Sequence, residues 1–318
     1  MSQRDIVIGI DTSNYTTSVA LMHTDGELIA NIKRPLTVKA GDRGLRQSDA
    51  VFAHVKNLPS AMEEAKGYLD GRHPVAVGVS TRPRNLDGSY MPCFLSGVAA
   101  AESVSAVLGV PLYRYSHQCG HIMAAIYSSG RINLLDGREF CAFHVSGGTT
   151  EMLKVKAIDN GFVAELLGGT RDLNAGQIID RIGVHMGLQF PAGAHMEQLA
   201  LENTEKIPKK KPKLSDFKVN LSGLENMALK LYADTTDKKL TAAFVLDYIK
   251  NALIMLAESY ETAYGKVPFV FAGGVMCNSI IRNALKERFD ASFAIPQMSA
   301  DNAVGIAALT VREHTRNI

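Results

Sequence analysis

Cysteine is scarce in this sequence and poorly spaced for pairing. The four cysteines, Cys93, Cys119, Cys141 and Cys277, form no CxxC pair and no disulfide-like framework. That usage predicts a reducing compartment and a cytoplasmic protein. No apolar run reaches about 18 residues, so neither a membrane span nor a membrane partner is expected. The opening Met1-Ser2-Gln3-Arg4-Asp5 leads straight into a strand-like run and lacks the small-residue cleavage site of a signal peptide. Charge of either sign is not in excess: 34 Lys+Arg face 32 Asp+Glu, for a net +2. Any argument for nucleic acid must therefore be local. What remains is a globular composition, 318 residues at 46% hydrophobic, which excludes intrinsic disorder and predicts about two domains. A chain of this size buries roughly 75% of the surface its unfolded form exposes.

The pattern of elements starts twice. Ile6–Ile10 and Thr17–Met22 read as strands, Thr24-Asp25-Gly26 as a turn and Glu27–Lys33 as a third strand. Val51–Leu69 has helical spacing, Val75–Ser80 is a strand, Leu95–Leu108 a helix and Leu112–Tyr115 a strand. Phe140–Val145, Thr150–Val155 and Phe162–Leu167 repeat the three-strand start, with Asn160-Gly161 as a turn. Helices follow at about 174–187 and 239–263, then a strand at Val267–Phe271, a helix at about 277–288, a strand at Ser292–Ile295 and a last helix from about 302.

Matched positions of the two starts carry polar turns, around Asp11-Thr12-Ser13 and around Ser146-Gly147-Gly148-Thr149. A third turn, Ala272-Gly273-Gly274-Val275, follows a strand. Such turns gather backbone N–H groups into an anion-binding concavity, and two facing halves would grip an adenine nucleotide in a cleft between them. Alternatively, each glycine meets only a tight turn's need for positive φ.

The chain resembles the TsaD/Gcp/YgjD family, within the actin/Hsp70/sugar-kinase (ASKHA) fold. The residues that carry this are Gly9-Ile10-Asp11-Thr12-Ser13, Ser116–His121, Val145-Ser146-Gly147-Gly148, Asn174–Asp180, Phe190–Gly193, Leu221–Leu224, Gly273–Asn278 and Ala300-Asp301-Asn302. The resemblance implies an α/β protein of two duplicated lobes, 1–136 and 137–301, each with a mixed sheet flanked by helices. The last helix, about 302–318, would pack back on the first lobe. It further implies transfer of a threonylcarbamoyl group from threonylcarbamoyl-AMP to N6 of adenine 37 in tRNAs reading ANN codons. The implied partners are tRNA and TsaB-like and TsaE-like accessory subunits, or a homodimer.

His117 and His121 stand at i and i+4 on a helix that Ser116 can cap, so both rings share a face. The spacing suits one metal ion. Gln118 in place of Glu removes the general base of a zincin. The alternative is packing, one ring at a strand end and the other against Tyr127. In the resembled family an Asp matching Asp301 joins the two His on one iron or zinc ion. The resemblance also places Asp180 on ribose hydroxyls with Gly193 beside it, and Asn278 at the adenine or adenylate. Asp11 would manage phosphate or its metal. Val145, Ser146, Gly147, Gly148, Thr149, Gly273 and Gly274 would line the nucleotide. Gly176 and Gly183 flank Asp180 at i−4 and i+3, a face that lets a ligand approach.

Four departures stand out. Thr149 replaces the His of Ser-Gly-Gly-His-Thr, Arg82-Pro83-Arg84 replaces Gly-Pro-Gly, Gln177 replaces Glu, and Tyr15-Thr16 replaces an acidic pair. They leave open a divergent paralogue: a non-catalytic nucleotide-binding scaffold, or a small-molecule carbamoyltransferase or ATPase. The one charge run, Lys206–Lys213, has prolines that bar a helix. It is either a solvated connector or a phosphate contact to tRNA, read by shape because no aromatics are interleaved.

Overall fold

The computed structural model describes residues 5–13, 15–37, 45–159 and 161–316. Asn14 of the first turn, Asn160 of the later turn and the last two residues of the expected final helix lie outside them. The chain divides into two compact units. Unit 1 comprises 1–137, 157–163 and 297–318; unit 2 comprises 138–156 and 164–296.

Unit 1 is built on a five-stranded sheet of β1 (Asp5–Thr12), β2 (Thr16–His23), β3 (Leu28–Pro35), β4 (His73–Arg82) and β5 (Leu112–Ser116). Its order is β3-β2-β1-β4-β5. The first three strands are an antiparallel meander, and β4 and β5 join in parallel. Parallel joining requires crossovers, which the helices α1 (Gln47–Lys66) and α2 (Phe94–Leu108) supply. Alternate residues Ile6, Ile8 and Ile10 of β1 bury against Leu58, Ala61 and Ala65 of α1 and Ala101 of α2. Fully burying each isoleucine is worth roughly 1.5–3 kcal/mol.

Two further helices of unit 1 are α3 (His117–Ser128) and, near the chain end, α10 (Val304–Arg316). A Cβ at Gly9 would lie 2.7 Å from Ala307 N, and one at Gly78 would lie 1.8 Å from Thr310 Oγ1. The sheet is thus bare where α10 crosses it. A Cβ at Gly305 would lie 1.8 Å from the Gly120 carbonyl oxygen. Only glycine lets α10 come that close to α3, and this crossing sets the approach to the metal-ligand candidates.

Unit 2 carries most of a seven-stranded sheet, ordered β12-β11-β6-β7-β8-β10-β9. Its strands are β6 (Glu139–Val145), β7 (Thr150–Ile158), β8 (Gly161–Thr170), β9 (Leu214–Ser215), β10 (Lys218–Val219), β11 (Phe269–Ala272) and β12 (Ala291–Phe293). Phe143, Phe271 and Phe293 stack across three neighbouring strands, with centroids 5.0 Å apart at each step. The helices are α4 (Ala175–His185), α5 (Gly193–Leu201), α6 (Ser222–Thr235), α7 (Lys238–Tyr264) and α8 (Ser279–Arg288). A short α9 (Pro296–Ser299) precedes α10. By length and composition α7 could cross a membrane, yet 78% of its apolar window is buried in the structure.

Three expectations need correction. The helix expected at 277–288 is a 3-10 turn, Gly274–Cys277, then α8, because extended Asn278 breaks the run and its Oδ1 caps Ile281 N. The last helix starts at Val304, because Asn302 Oδ1 accepts from Val304 N. Asp301 therefore precedes that helix and leaves its carboxylate for other partners. The helices α5 and α6, which start without a side-chain cap, were not expected at all.

Candidate metal centre and glycine turns

β5 runs directly into α3, and the junction is capped: Ser116 Oγ accepts from Cys119 N at 3.2 Å. His117 is in the first turn and His121 one turn later. Their Nε2 atoms lie 3.0 Å apart. Asp301 Oδ1 lies 3.5 Å from His117 Nε2 and 3.4 Å from His121 Nε2. The His117 and Asp301 side chains are 16% and 21% exposed, so the cluster opens to solvent on that side, while the His121 side chain is 4% exposed. The Tyr127 hydroxyl donates to the Gly26 carbonyl at 3.0 Å.

Behind His117 stands Asp11, wholly buried at the end of β1. Its Oδ1 accepts from His117 Nδ1 at 3.0 Å and from Ser80 Oγ. The sequence reading put Asp11 on phosphate or its metal; in the structure its carboxylate holds the His117 ring. With the ring proton on Nδ1, His117 Nε2 presents a lone pair to His121 and Asp301. Three electron-pair donors then converge on one point, and one proton can satisfy only one contact. A divalent ion satisfies all three. Ligands at ~2.1 Å in a tetrahedron are separated by about 3.4 Å, close to the observed 3.0–3.5 Å. The donor set fits zinc with an open position, or an iron facial triad.

The electrostatics agree. Burial works to lower the pKa of His117, yet Asp11 and then Asp301 raise it to about 10. Burial also works to raise Asp301, but hydrogen bonds from His117 and His121 hold its carboxyl well below the ordinary range. Burial lowers His121, and the neighbouring His117 lowers it further. Without an ion the cluster draws a proton onto His117, which marks it as a site for positive charge.

Unit 2 holds the glycine turns. Ser146 N donates to Thr149 O at 2.8 Å, closing a turn between β6 and β7. Neither Gly147 nor Gly148 has positive φ, and a Cβ at either would meet nothing within 4 Å. Their value is open space, not backbone freedom. Gly148 N and Thr149 N donate to Ser146 Oγ, at 3.2 Å each. Gly273 differs: its φ is +98°, and a Cβ there would lie 2.3 Å from Val145 O. Gly274 and Gly193 are open.

Gly176 and Gly183 do not open a ligand face. A Cβ at Gly176 would meet Gly147 N at 2.7 Å, and one at Gly183 would meet the Ala192 Cβ at 2.3 Å. These glycines let α4 seat against the chain itself. Asp180 Oδ1 accepts from Ala192 N at 2.7 Å, and burial raises its pKa. Asn278 is buried, with its carbonyl capping α8. Glu197 of α5, missed in the sequence, accepts from Ser279 N and Oγ and fixes the same helix start. Ser80 and His144 were missed too. A histidine in the apolar run Phe140–Val145 was the signal for the second. Lys206, Lys209, Lys210, Lys211 and Lys213 are all exposed, in a stretch without helix or strand.

A sequence model of the TsaD family, described as tRNA N6-adenosine threonylcarbamoyltransferase, matches residues 29–308. Proteins described in the same words are similar along nearly the whole chain. That of Streptococcus suis (strain 05ZYH33) is 29% identical, over 99% of this chain and 94% of its own. That of Bacillus licheniformis is 29% identical, over 95% and 90%. Among solved structures, full-length HypF in a phosphate- and nucleotide-bound form is similar with a TM-score of 0.62 at 13% identity, covering 95% of this chain and 46% of that one. A ROK hexokinase from Thermus thermophilus gives a TM-score of 0.52 at 12% identity, over 98% and 99%. The fold is thus of the actin/Hsp70/sugar-kinase type.

Proposed function

Because the chain belongs to the TsaD family of tRNA N6-adenosine threonylcarbamoyltransferases, we propose that it moves a threonylcarbamoyl group from threonylcarbamoyl-AMP to N6 of adenine 37 in tRNAs reading ANN codons. The observation that carries this is the convergence of His117 Nε2, His121 Nε2 and Asp301 Oδ1, with Asp11 behind, in a chain of that family. A bound iron or zinc ion would act there as a Lewis acid on the carbamoyl carbonyl. Asp11 keeps the His117 proton on Nδ1, so that Nε2 stays a donor. Asp180 and Gly193 would take the ribose, the open Gly147, Gly148 and Gly274 the phosphate, and Asn278 the adenine side. The exposed lysines of 206–213 would meet tRNA phosphates. Partners of the TsaB-like and TsaE-like kind, or a second copy, and a cytoplasmic location belong to the same reading.

One specific observation favours a second reading, a paralogue acting on a small molecule: Thr149, Gln177 and the Arg82-Pro83-Arg84 segment depart from the family's phosphate-side pattern. One experiment separates the two. In cells depleted of their own enzyme, this gene should restore threonylcarbamoyladenosine in tRNA, read by nucleoside mass spectrometry. No restoration, with or without the cognate accessory subunits, contradicts the tRNA reading and supports the paralogue.

A further inference from the structure

Helix α8 carries two cations that no carboxylate answers. The acidic residues that reach this helix are engaged elsewhere on it: Glu197 accepts from Ser279 N and Oγ at its start, and Glu258 pairs with Arg288 at 3.1 Å at its end. Arg282 and Lys286 lie between these two points, about one turn apart. Among the described residues neither side chain forms an ion pair or a hydrogen bond. Both instead sit over the Phe293 ring, with Arg282 Cζ 5.1 Å and Lys286 Nζ 5.7 Å from its centroid. Lys286 is exposed and Arg282 half-buried, while Phe293 is 4% exposed.

Shielding the ring accounts for one of these cations, not for both. Phe293 ends the row of stacked phenyl rings at the edge strand β12, and Phe271 covers one of its faces. The two cations therefore share the other. The stem of one long side chain is enough to cover a ring face, and like charges at i and i+4 repel. The helix dipole favours Lys286 in the last turn of α8, but it disfavours a cation in the first turn, where Arg282 stands as the fourth residue. Holding both charges on one ring thus costs stability, and an anion between them removes that cost. The ring restrains the guanidinium, whose planar fork of N–H groups matches two oxygens of one phosphate. Lys286 adds a point charge beside it.

The position in the fold indicates which phosphate. β6, β11 and β12 run parallel, so their C-terminal ends lie along one edge of the sheet. The glycine turns at 146–149 and 273–274 follow β6 and β11 at that edge, and Phe293 ends β12 there. Phe293 is two strand spacings, about 10 Å, along the edge from the β6 turn. A single nucleotide with its phosphate at the turns leaves this second anion site unused, whereas a chain of phosphates reaches it. We propose that Arg282 and Lys286, over Phe293, bind a backbone phosphate of RNA. The inference rests on the transferase reading for the identity of that RNA, a tRNA.

The test measures binding of an unmodified tRNA transcript reading an ANN codon to the full chain at several salt concentrations. Beside the wild type stand Arg282→Gln, Lys286→Gln, the double variant and Arg282→Lys. Each Gln variant should make the log–log salt slope shallower by about 1, and the double variant by about 2, with binding about tenfold weaker or more at low salt. Arg282→Lys keeps the charge, so its slope should match the wild type while its affinity falls for want of the fork. Calorimetric titration with ATP forms the second arm, and the double variant should bind ATP as the wild type does. An unchanged tRNA affinity and slope in the double variant overturns the proposal, and so does a wild type that binds no tRNA. Any loss of ATP affinity in the double variant assigns the pair to a nucleotide phosphate and overturns it too. Thermal unfolding checks the fold of each variant; Lys286→Gln alters an exposed side chain and keeps the test open if Arg282→Gln does not fold. If tRNA binding depends on the pair but the gene restores no threonylcarbamoyladenosine, the RNA site stands and the transferase reading fails.

Discussion

Asp11 is buried behind His117, with its carboxylate on the ring nitrogen that faces away from His121 and Asp301. Burial pushes its pKa up, but His117 pulls it below the ordinary value, so it stays charged in a closed interior. Replacing it by Asn keeps the shape and removes the charge that holds the His117 proton. Asp11→Asn should weaken metal binding by about 10–100-fold in a competition titration, with the fold intact. An unchanged affinity would show that His117 needs no such partner. The sequence exposed this residue only as a strand-end carboxylate. Its pairing with His117, 106 positions away, depends on β1 and β5 both flanking β4, which no local pattern reveals. The i, i+4 histidines were legible because one helix with one cap fixes their geometry. Asp301 was legible only through the resemblance.

Asp172 offers a second residue-scale prediction, this time of stability. Burial works to raise its pKa, but donors from Ser222, Leu221, Leu173 and Asn220 outweigh that and bring it down to about 2. The folded value lies below the ordinary 3.8. Its stabilisation is therefore present above that value and is lost as pH falls from about 4 towards 2. The residue is exposed, so solvent screening reduces the contribution to ~1 kcal/mol. Asp172→Ala should lower stability by that amount at pH 7, and in urea titrations the difference from wild type should shrink steadily between pH 4 and pH 2. A difference that stays constant over that range would mean the loss is not one of charge.

Among elements, the crossing of α3 and α10 decides most. Gly120 and Gly305 meet backbone to backbone, and the same crossing carries Asp301 to the two histidines. Gly305→Ala should cost at least ~2 kcal/mol, because a helix backbone cannot yield as a side-chain end can. It should also reduce metal content. A variant as stable as the wild type would mean that the helices separate freely. Most helices and strands were legible from apolar period. Their ends were set by residues such as Asn278 and Asn302, whose side chains cap the next helix. The glycines of α4 misled for a physical reason. A bare helix face next to a carboxylate looks the same in sequence whether a ligand or the chain itself fills it, and here the backbone at Ser146 and Gly147 fills it at Gly176 and the Ala192 side chain at Gly183.

At the scale of the molecule, the chain leaves unit 1 after Gly137, rejoins it briefly at 157–163 and returns for 297–318, and this last segment brings the third candidate ligand to the two on α3. The doubled three-strand start was legible because each copy alternates and turns in the same order. The ligand cluster was not legible as geometry, since its members lie 180 residues apart in the sequence, from His121 to Asp301. The proposed chemistry depends on that cluster. The most direct measurement is elemental analysis of the full chain purified without a histidine tag, beside a His117→Ala/His121→Ala variant of proven fold. We expect about one iron or zinc ion per wild-type chain and almost none in the variant. A metal-free wild type, or equal metal in both, would contradict the cluster's role.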